Sequence, residues 1–200
     1  MIPVAAQPEP ADFDRRVRQP GLAFLAGQGI THSAPSELRW KDHWRHCLVH
    51  LHAAYDGICA FLGVYIEPVT GARTVEHFRP KRTHPQLAYE WSNYRLVCNT
   101  LNGRKGDHED VLDPFTLAPD TFCIEFTSGR IYPDPVLEAR EPVTFAAAEA
   151  TIRRLRLDDA ECRGVRTAHF GDYLAGDVSA DFLRRHSPFV WYELRRQGLL

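Results

Sequence analysis

The stretch that decides the fold runs from residue 74 to residue 106 and reads TVEHFRPKRTHPQLAYEWSNYRLVCNTLNGRKG. Five of its polar side chains stand in the order Glu76, His77, Asn93, Asn102 and Lys105. Glu76 and His77 are adjacent, Asn93 stands alone further along, and Gly106 ends the stretch. Imidazole nitrogens, carboxylates and amide oxygens move protons or bind metal ions, so the order indicates a functional site assembled from distant positions.

The segment that leads to His77 is predicted to form a β-hairpin. Residues 58–66 (ICAFLGVYI) are β-prone, and residues 68–71 are a turn signal, so a second strand then delivers His77. Adjacent side chains in a regular strand point to opposite faces, so Glu76 and His77 share one site only where the strand ends or bulges. Pro80 supplies that ending, because proline cannot donate to a ladder.

The segment after His77 is predicted to form a loop, a strand and a helix. Residues 81–92 are long for a hairpin loop, which indicates a functional or tightly packed segment. Residues 94–97 are predicted to form a short strand, and residues 99–105 about two turns of helix. That helix places Asn102 and Lys105 three residues apart on one face.

The order of these residues resembles the motif of the HNH nuclease family, the ββα-metal or His-Me finger nucleases. The sequence is similar to the HNH nuclease subunit of Septu-type anti-phage defence systems, whose pattern looks like C-x-x-C, EHF-x-PK, W-x-N and C-x-x-C-N-x-x-KG. The matching positions are Cys59, Glu76, His77, Phe78, Pro80, Lys81, Trp91, Asn93, Cys98, Asn102, Lys105 and Gly106. The resemblance covers roughly residues 55 to 165 and implies an α+β fold, with a ββα-metal core embedded in flanking α-helices.

Side-chain chemistry and the resemblance together assign catalytic roles to His77, Asn93 and Asn102. His77 is expected to act as general base, because an imidazole with a pKa near neutrality can take a proton from water. Asn93 is expected to tie the loop to the His77 segment, with an ordinary turn asparagine as the alternative. Glu76 and Asn102 are expected to be the ligands of one magnesium or manganese ion (Mg²⁺ or Mn²⁺), which prefers oxygen donors.

Other polar residues have simpler interpretations. Contacts to DNA phosphates are expected from three basic residues: Lys81, Arg104 and Lys105. His108 is a spare ligand candidate, and His84 is interpreted as a loop residue. His46 and His50 stand at i and i+4 of a predicted helix and can chelate a metal from one face, but a solvated face is the preferred interpretation because no third ligand completes a motif.

The sequence departs from the related pattern at the positions of a structural zinc. Cys59 and Cys98 remain, whereas Leu62 and Leu101 stand where the second cysteine of each pair is expected. A closed structural zinc site needs four ligands, so the structural zinc is expected to be absent. We predict instead that these four residues form an apolar cluster.

Composition indicates one globular domain. The chain has 200 residues, of which 44% are hydrophobic and 25% are charged, as in ordinary globular proteins. We predict a single HNH nuclease domain over residues 1–200, with three parts: an N-terminal arm and helix (1–57), the ββα-metal core (58–112), and a hairpin followed by helices (113–200). No apolar run suggests a membrane span or a signal peptide, so the expected location is the cytoplasm, without membrane association.

The flanking segments are predicted to be mainly helical. Residues 1–35 are interpreted as an arm with a short helix near 11–18, the alternative being a partly disordered tail. An amphipathic helix is predicted over residues 36–55, and a second hairpin over residues 121–132. Three later helices are expected to begin near Thr144, Asp158 and Ser187.

Two functions follow from the sequence. The first is a metal-dependent DNA endonuclease, the effector of a bacterial anti-phage system that acts with a partner ATPase, as the resemblance implies. The second is a non-catalytic nucleic-acid-binding or scaffold subunit that retains the shape of the motif. The net charge of −2 bears on both, because a protein that grips DNA alone is usually basic. Either the cations are focused locally or a partner supplies part of the grip.

Overall fold

A computed structural model describes residues 1–200 and divides into two compact units. We call the first the helical unit (Met1–Ala5, Ile58–Ile66 and Asp110–Leu200) and the second the motif unit (Ala6–Gly57 and Glu67–Glu109). Helices and two small antiparallel sheets occur together, which confirms the predicted α+β class. The assignment to a single HNH domain stays a prediction. No helix combines the length and the apolar character that crossing a membrane requires.

The motif unit contains one two-stranded sheet and three α-helices. Its elements are α1 (Gln19–Gly27), α2 (Leu48–Ala54), β1 (Arg73–His77), β2 (Tyr94–Cys98) and α3 (Asn99–Lys105). A π-helical turn (Asp14–Arg18) precedes α1, and a 3₁₀ turn (His43–Cys47) precedes α2. Two further 3₁₀ turns, Pro85–Leu87 and Trp91–Asn93, lie in the loop between β1 and β2.

The sheet and helix around His77 follow the order predicted from the sequence. β1 and β2 pair antiparallel, with Arg73 opposite Cys98 at one end and His77 opposite Tyr94 at the other. α3 begins directly after β2, which confirms the predicted strand, loop, strand and helix. Gly106 ends α3 with a φ of 50°, a backbone conformation that side chains with a Cβ atom rarely adopt.

The prediction that residues 58–66 form a hairpin with the strand of His77 is wrong. Residues 58–66 form no strand and contain only one isolated bridge. The segment closes on itself, because the backbone N–H of Gly63 donates to the carbonyl of Cys59 at 2.8 Å. Gly63 has a φ of 68°, which turns the chain where a strand would continue. A high β-propensity therefore did not produce a strand in this segment.

The helix predicted over residues 36–55 is shorter than expected. The helical turns begin at His43, and α2 itself begins at Leu48. Ahead of them, the carbonyl of Lys41 accepts a hydrogen bond from the hydroxyl of Tyr89 at 2.9 Å. This tertiary contact uses an acceptor that a continuing helix would need, so it replaces the helix suggested by the apolar period.

The N-terminal segment forms more helix than predicted. The helix expected near residues 11–18 continues through α1 to Gly27. Phe13 is 1% exposed and packs edge-on against Trp91 and Tyr94, with ring centroids 5.6 and 5.8 Å apart. These aromatic contacts anchor the segment to the loop and to β2 within the motif unit.

The helical unit contains the second sheet and five α-helices. Its elements are β3 (Phe122–Glu125), β4 (Arg130–Pro133), α4 (Pro135–Arg140), α5 (Pro142–Leu155), α6 (Ala160–Ala175), α7 (Ala180–His186) and α8 (Pro188–Arg196). β3 and β4 pair antiparallel, which confirms the second predicted hairpin. α5, α6 and α8 confirm the three predicted helices, whereas α4 and α7 were not predicted because helices of six and seven residues show little apolar period.

The starts of α5 and α6 differ from the prediction by a few residues. α5 begins at Pro142, so Thr144 lies inside the helix and does not cap it. Asp159 caps α6 by accepting from the backbone N–H of Cys162 at 2.9 Å. The predicted cap, Asp158, accepts instead from the backbone of β4. Two consecutive aspartates are equivalent caps by sequence, and the tertiary contact decides between them.

Candidate functional site

Residues of β1, of α3, of the loop after β1 and of the turn before α2 enclose a cleft of about 490 Å³ in the motif unit. We call it the His77 cleft. It is lined by Trp44, Arg45, Leu48, Arg73, Thr74, Val75, Glu76, His77, Pro80, Lys81, Asn102, Gly106 and Asp107. The fold therefore brings four of the predicted site residues to one surface: Glu76, His77, Lys81 and Asn102.

His77 stands at the end of β1 in a fixed orientation. Its Nε2 lies 2.9 Å from the carbonyl oxygen of Ala88. A carbonyl oxygen only accepts, so in the neutral ring Nε2 carries the proton and Nδ1 carries the lone pair. Nδ1 has no hydrogen-bond partner among the protein's own groups. Edge-to-face contacts with Trp44 and Tyr94, at centroid distances of 4.7 and 5.2 Å, hold the ring.

Burial and nearby cations keep the ring of His77 neutral. The residue is 7% exposed. Its burial, helped by the ammonium group of Lys81, lowers the pKa of His77 to about 3. The hydrogen bond to Ala88 opposes this lowering, and Lys105 adds a smaller one. At neutral pH the side chain is therefore an imidazole whose Nδ1 can accept a proton.

The buried neutral ring predicts a measurable sensitivity to acid. Folding lowers the pKa of His77 from 6.5, so below that pH the unfolded chain binds more protons than the native protein and stability is lost. The free energy of unfolding of the wild type, minus that of His77→Gln, should fall by on the order of 3 kcal/mol between pH 7 and pH 4. Urea unfolding at both pH values measures this. Glu76 changes the stability of both proteins with pH in the opposite direction, and the subtraction cancels that contribution. A difference in unfolding free energy that does not change with pH would contradict the buried, neutral state of His77.

Glu76 and Lys105 form a buried ion pair beside His77. Glu76 Oε1 lies 2.8 Å from Lys105 Nζ, and the two side chains are 3% and 0% exposed. Lys105 Nζ also lies 3.2 Å from the carbonyl oxygen of His77, to which it donates. Burial raises the pKa of Glu76 to about 7, against the lowering effects of Lys105 and Lys81. Lys105 therefore favours the charged form of a carboxyl group that burial alone would neutralise.

The predicted DNA contacts occupy three different environments. Lys105 was expected at a phosphate, but its side chain is fully buried and serves as the counter-ion of Glu76. Lys81 lines the His77 cleft, as a phosphate contact requires. Arg104 is half-buried and does not line the cleft. Only one of the three thus presents its cation to the cleft.

Hydrogen bonds fix the orientation of the Asn102 side-chain amide. Its Nδ2 donates to Thr74 Oγ1 at 2.8 Å and makes a longer contact of 3.4 Å to the carbonyl of Val75. The hydroxyl of Thr74 in turn donates to the carbonyl of Val97 at 2.8 Å, so it can only accept from Asn102. Oδ1 of Asn102 has no hydrogen-bond partner in the protein. An amide oxygen is therefore available in the cleft for a cation.

Asn93 connects the two ends of the loop between β1 and β2. Its Oδ1 accepts from the backbone N–H of Arg79 at 2.7 Å. Its Nδ2 donates to the carbonyls of Arg79 at 2.9 Å and of Leu87 at 3.1 Å. Asn93 is 4% exposed and does not line the His77 cleft. Asn93 therefore positions the loop that carries Ala88. It is not placed to touch a molecule bound in the cleft.

Removal of the Asn93 side chain should destabilise the protein. In Asn93→Ala, the backbone N–H and carbonyl of Arg79 lose their side-chain partner, and the carbonyl of Leu87 keeps only the 3.3 Å hydrogen bond from the backbone N–H of Glu90. We expect the free energy of unfolding to decrease by about 2–4 kcal/mol, because each unpaired buried polar group costs about 1–3 kcal/mol and water can reach some of them. Urea denaturation measures the decrease. The exposed residue Asn99 provides a control, since Asn99→Ala should change stability by about 0.5 kcal/mol or less. Equal stability of the two variants would refute the role of Asn93.

The donor set of the His77 cleft fits one small divalent ion that also binds water and phosphate. No group of three His, Cys, Asp or Glu side chains forms a closed metal cage. Magnesium does not need such a cage, since one or two carboxylates with waters and substrate phosphate complete its shell. Glu76 supplies a carboxylate and Asn102 an unpartnered amide oxygen in the same cleft. A structural zinc or a calcium ion would need more protein ligands than these.

The cleft residues that were not recognised in the sequence include Trp44, Arg45 and Arg73. The first two lie on the 3₁₀ turn before α2, in a segment interpreted only as a packing helix. Arg73 begins β1, the strand that ends at His77. The position of Arg73 on the strand predicted to deliver His77 is a sequence signal for a cation near the site.

The remaining histidine candidates do not line the cleft. His46 stacks with His43, and His46 and His50 are exposed, in agreement with the preferred interpretation of a solvated face. His84 Nε2 lies 3.0 Å from Glu109 Oε1 in a polar surface contact. His108 is exposed. None of these four positions joins the cleft residues.

The two predicted remnants of a zinc site lie in separate units. Cys59 is buried in the helical unit, and Cys98 is half-buried at the end of β2 in the motif unit. No disulfide forms among the five cysteines. The apolar cluster of Cys59 and Cys98 with Leu62 and Leu101 stays a prediction.

Comparison with known proteins relates part of this chain to a Septu protein. The chain is similar to Septu protein PtuB of Bacillus thuringiensis, with 34% identity over 56 residues. The aligned region covers 28% of this chain and 22% of the relative, so the chain spans about a fifth of the length of the curated relative that it matches. No protein-family model matches the chain. The similarity supports a Septu-related origin for the aligned part.

Proposed function

We propose that this protein is a metal-dependent HNH endonuclease that hydrolyses phosphodiester bonds of DNA in the His77 cleft. The state of His77 carries the proposal. Its ring is neutral, its Nε2 proton is engaged by Ala88, and its Nδ1 has no partner within the protein. A general base must be unprotonated, oriented and accessible to water, and His77 combines these properties in a cleft large enough for a phosphodiester.

In the proposed reaction, Nδ1 of His77 takes a proton from water as the water oxygen attacks phosphorus. The bond from phosphorus to the leaving oxygen breaks, and the leaving oxygen takes a proton from solvent. Lys81 lowers the pKa of His77, so an incoming phosphate anion beside Lys81 would raise it again. The base would then become stronger when substrate is bound.

Glu76 and Asn102 would hold one magnesium or manganese ion, through a carboxylate oxygen and the unpartnered Oδ1. When bound, such an ion neutralises charge on the phosphate and stabilises the leaving oxygen. Lys105 favours the charged form of the Glu76 carboxyl group and orients it through the 2.8 Å ion pair. The hydrogen bonds from Asn102 to Thr74 and Val75 aim the amide oxygen before any ion arrives.

The similarity to Septu protein PtuB supports a role in a Septu-type anti-phage system. We propose that this chain is the nuclease effector of that system. We infer that a partner ATPase restrains or directs the nuclease, as the resemblance to Septu-type subunits implies. The net charge of −2 supports a partner as well, because phosphate contacts supply much of the affinity for DNA and this chain has no surplus of cations.

The proposal is tested by incubating the protein with plasmid DNA and magnesium or manganese, beside His77→Ala. Metal-dependent cleavage by the wild type alone would support the assignment. Equal nicking by both proteins would indicate a contaminating nuclease and reject it. The same assay on the complex purified with its native partner tests whether cleavage requires that partner. Absence of cleavage in that complex too would reject the nuclease function.

The ion pair of Glu76 and Lys105 favours a second candidate, a non-catalytic nucleic-acid-binding or scaffold subunit. A carboxylate already neutralised by a buried ammonium group has less need of a metal ion. Calorimetric titration with manganese separates the two candidates. Binding that Glu76→Gln abolishes supports the nuclease, whereas the scaffold predicts no binding.

A further inference from the structure

We propose that Arg73 and Lys81 bind the phosphates on the two sides of the scissile phosphodiester, so that one nucleic-acid strand runs along β1 across the His77 cleft. This inference rests on the proposed function and deepens it by assigning the path of the substrate. Arg73 has no assigned role in the sequence motif. Lys81, already expected to contact a phosphate, is assigned to the phosphate on the other side of the scissile phosphodiester.

The first support is that two cations of the cleft have no carboxylate partner. No carboxylate lies within ion-pair distance of Arg73 or Lys81. Lys81 Nζ lies 5.1 Å from the ring centroid of Trp44 and 5.9 Å from that of Trp40. Cation–π contacts of this kind hold an ammonium group in place without neutralising its charge. Lys81 is therefore positioned in advance for an anion.

The second support is that every other charged residue of the cleft is already paired. The pairs, with their shortest nitrogen to oxygen distances, are Glu76 with Lys105 (2.8 Å), Asp107 with Arg82 (3.6 Å) and Arg45 with Asp42 (3.0 Å). The excess positive charge of the cleft therefore comes from Arg73 and Lys81. On a chain with a net charge of −2, this is a local focus of positive potential, which attracts a polyanion.

The third support is the order of the groups along β1. Arg73 is the first residue of the strand and His77 the last, so a rise of about 3.3 Å per residue separates their Cα atoms by about 13 Å. The amide of Asn102 donates a hydrogen bond to Thr74, the residue after Arg73. Lys81 follows His77 beyond the end of the strand. A nucleic-acid strand laid along β1 would meet one cation, then the reacting groups, then the second cation.

Binding measured without cleavage tests this arrangement. Fluorescence anisotropy in EDTA, with labelled single-stranded and duplex DNA, gives the dissociation constant between 50 and 200 mM salt. Arg73→Gln and Lys81→Gln should each reduce the slope of log K against log salt by about 0.7 on a single strand or about 0.9 on a duplex. Over this fourfold salt range, one contact on a single strand accounts for about a 2.6-fold change in affinity. Arg39→Gln is the matched control, since Arg39 is exposed and outside the cleft.

The outcomes separate this inference from the proposed hydrolysis. Slopes that fall in both cleft variants but not in Arg39→Gln support the path along β1, even if the wild type cleaves nothing. Unchanged slopes in both cleft variants, an equal fall in Arg39→Gln, or no binding by the wild type overturn the path, even if the wild type cleaves DNA. Lys81→Arg should restore the slope, and thermal unfolding checks that each variant is folded.

Discussion

Replacement of His77 by alanine is expected to slow DNA cleavage by about 10²- to 10⁴-fold, the contribution typical of general-base catalysis. Nδ1 is the unprotonated nitrogen of a ring that burial keeps neutral, so its loss removes the group that accepts the proton of the attacking water. Single-turnover rates with excess protein and saturating manganese measure the effect, because they exclude product release.

Two further variants make this result specific. In His77→Gln, the side-chain amide can still donate to Ala88, so packing is retained while the base is lost. It should be as slow as the alanine variant. His84→Ala is the matched control, because His84 belongs to the loop after β1, contacts Glu109 and does not line the cleft. It should cleave at the wild-type rate. A His77→Gln protein that cleaves as fast as the wild type would remove His77 from the mechanism.

Replacement of Lys105 by methionine is expected to lower the free energy of unfolding by about 3–5 kcal/mol at pH 8, because it leaves the buried carboxylate of Glu76 uncompensated. The pKa of Glu76, already raised to about 7 by burial, would rise further without its counter-ion. At pH 5 the carboxyl group is then protonated, so the loss of stability should be smaller there. Urea denaturation at both pH values measures the difference.

The double variant Glu76→Met with Lys105→Met isolates the charge from the packing. Apolar side chains of similar volume can replace a buried ion pair at little cost, so the double variant should recover most of the stability lost by Lys105→Met. Lys41→Met is the surface control, because the Lys41 residue is exposed. Equal losses in the single and double variants would show that the volume of the lysine, and not its charge, stabilises the site.

The segments around His77 were predictable where their causes are local. Pro80 follows the end of β1 because proline cannot donate to a ladder, and Gly106 ends α3 because glycine readily adopts a positive φ. The partner of β1 was not predictable in the same way. Residues 58–66 and 94–98 are both β-prone, and only the antiparallel pairing with β2 decides which of them forms a strand. Strand pairing is a non-local choice that propensity does not encode.

Within the candidate site, the residue types were predictable and their surroundings were not. The order of Glu76, His77 and Asn102 identified three residues that the fold brings to one cleft. The burial of Lys105 was missed, because a lysine near a helix end is usually solvated and nothing local indicates a carboxylate across the fold. Arg73 was missed although it stands on the strand predicted to deliver His77, and only the tertiary packing shows that it lines the cleft.

The carbonyl oxygen of Ala88 accepts hydrogen bonds from both His77 Nε2 and the hydroxyl of Tyr94, each at 2.9 Å. Every amino acid carries this carbonyl, so the proton-accepting property of His77 depends on where the main chain returns and not on the side chain at position 88. Insertions or deletions between β1 and β2 should consequently be selected against more strongly than many substitutions there. Homologues of this protein are expected to vary in the composition of that loop while conserving its length.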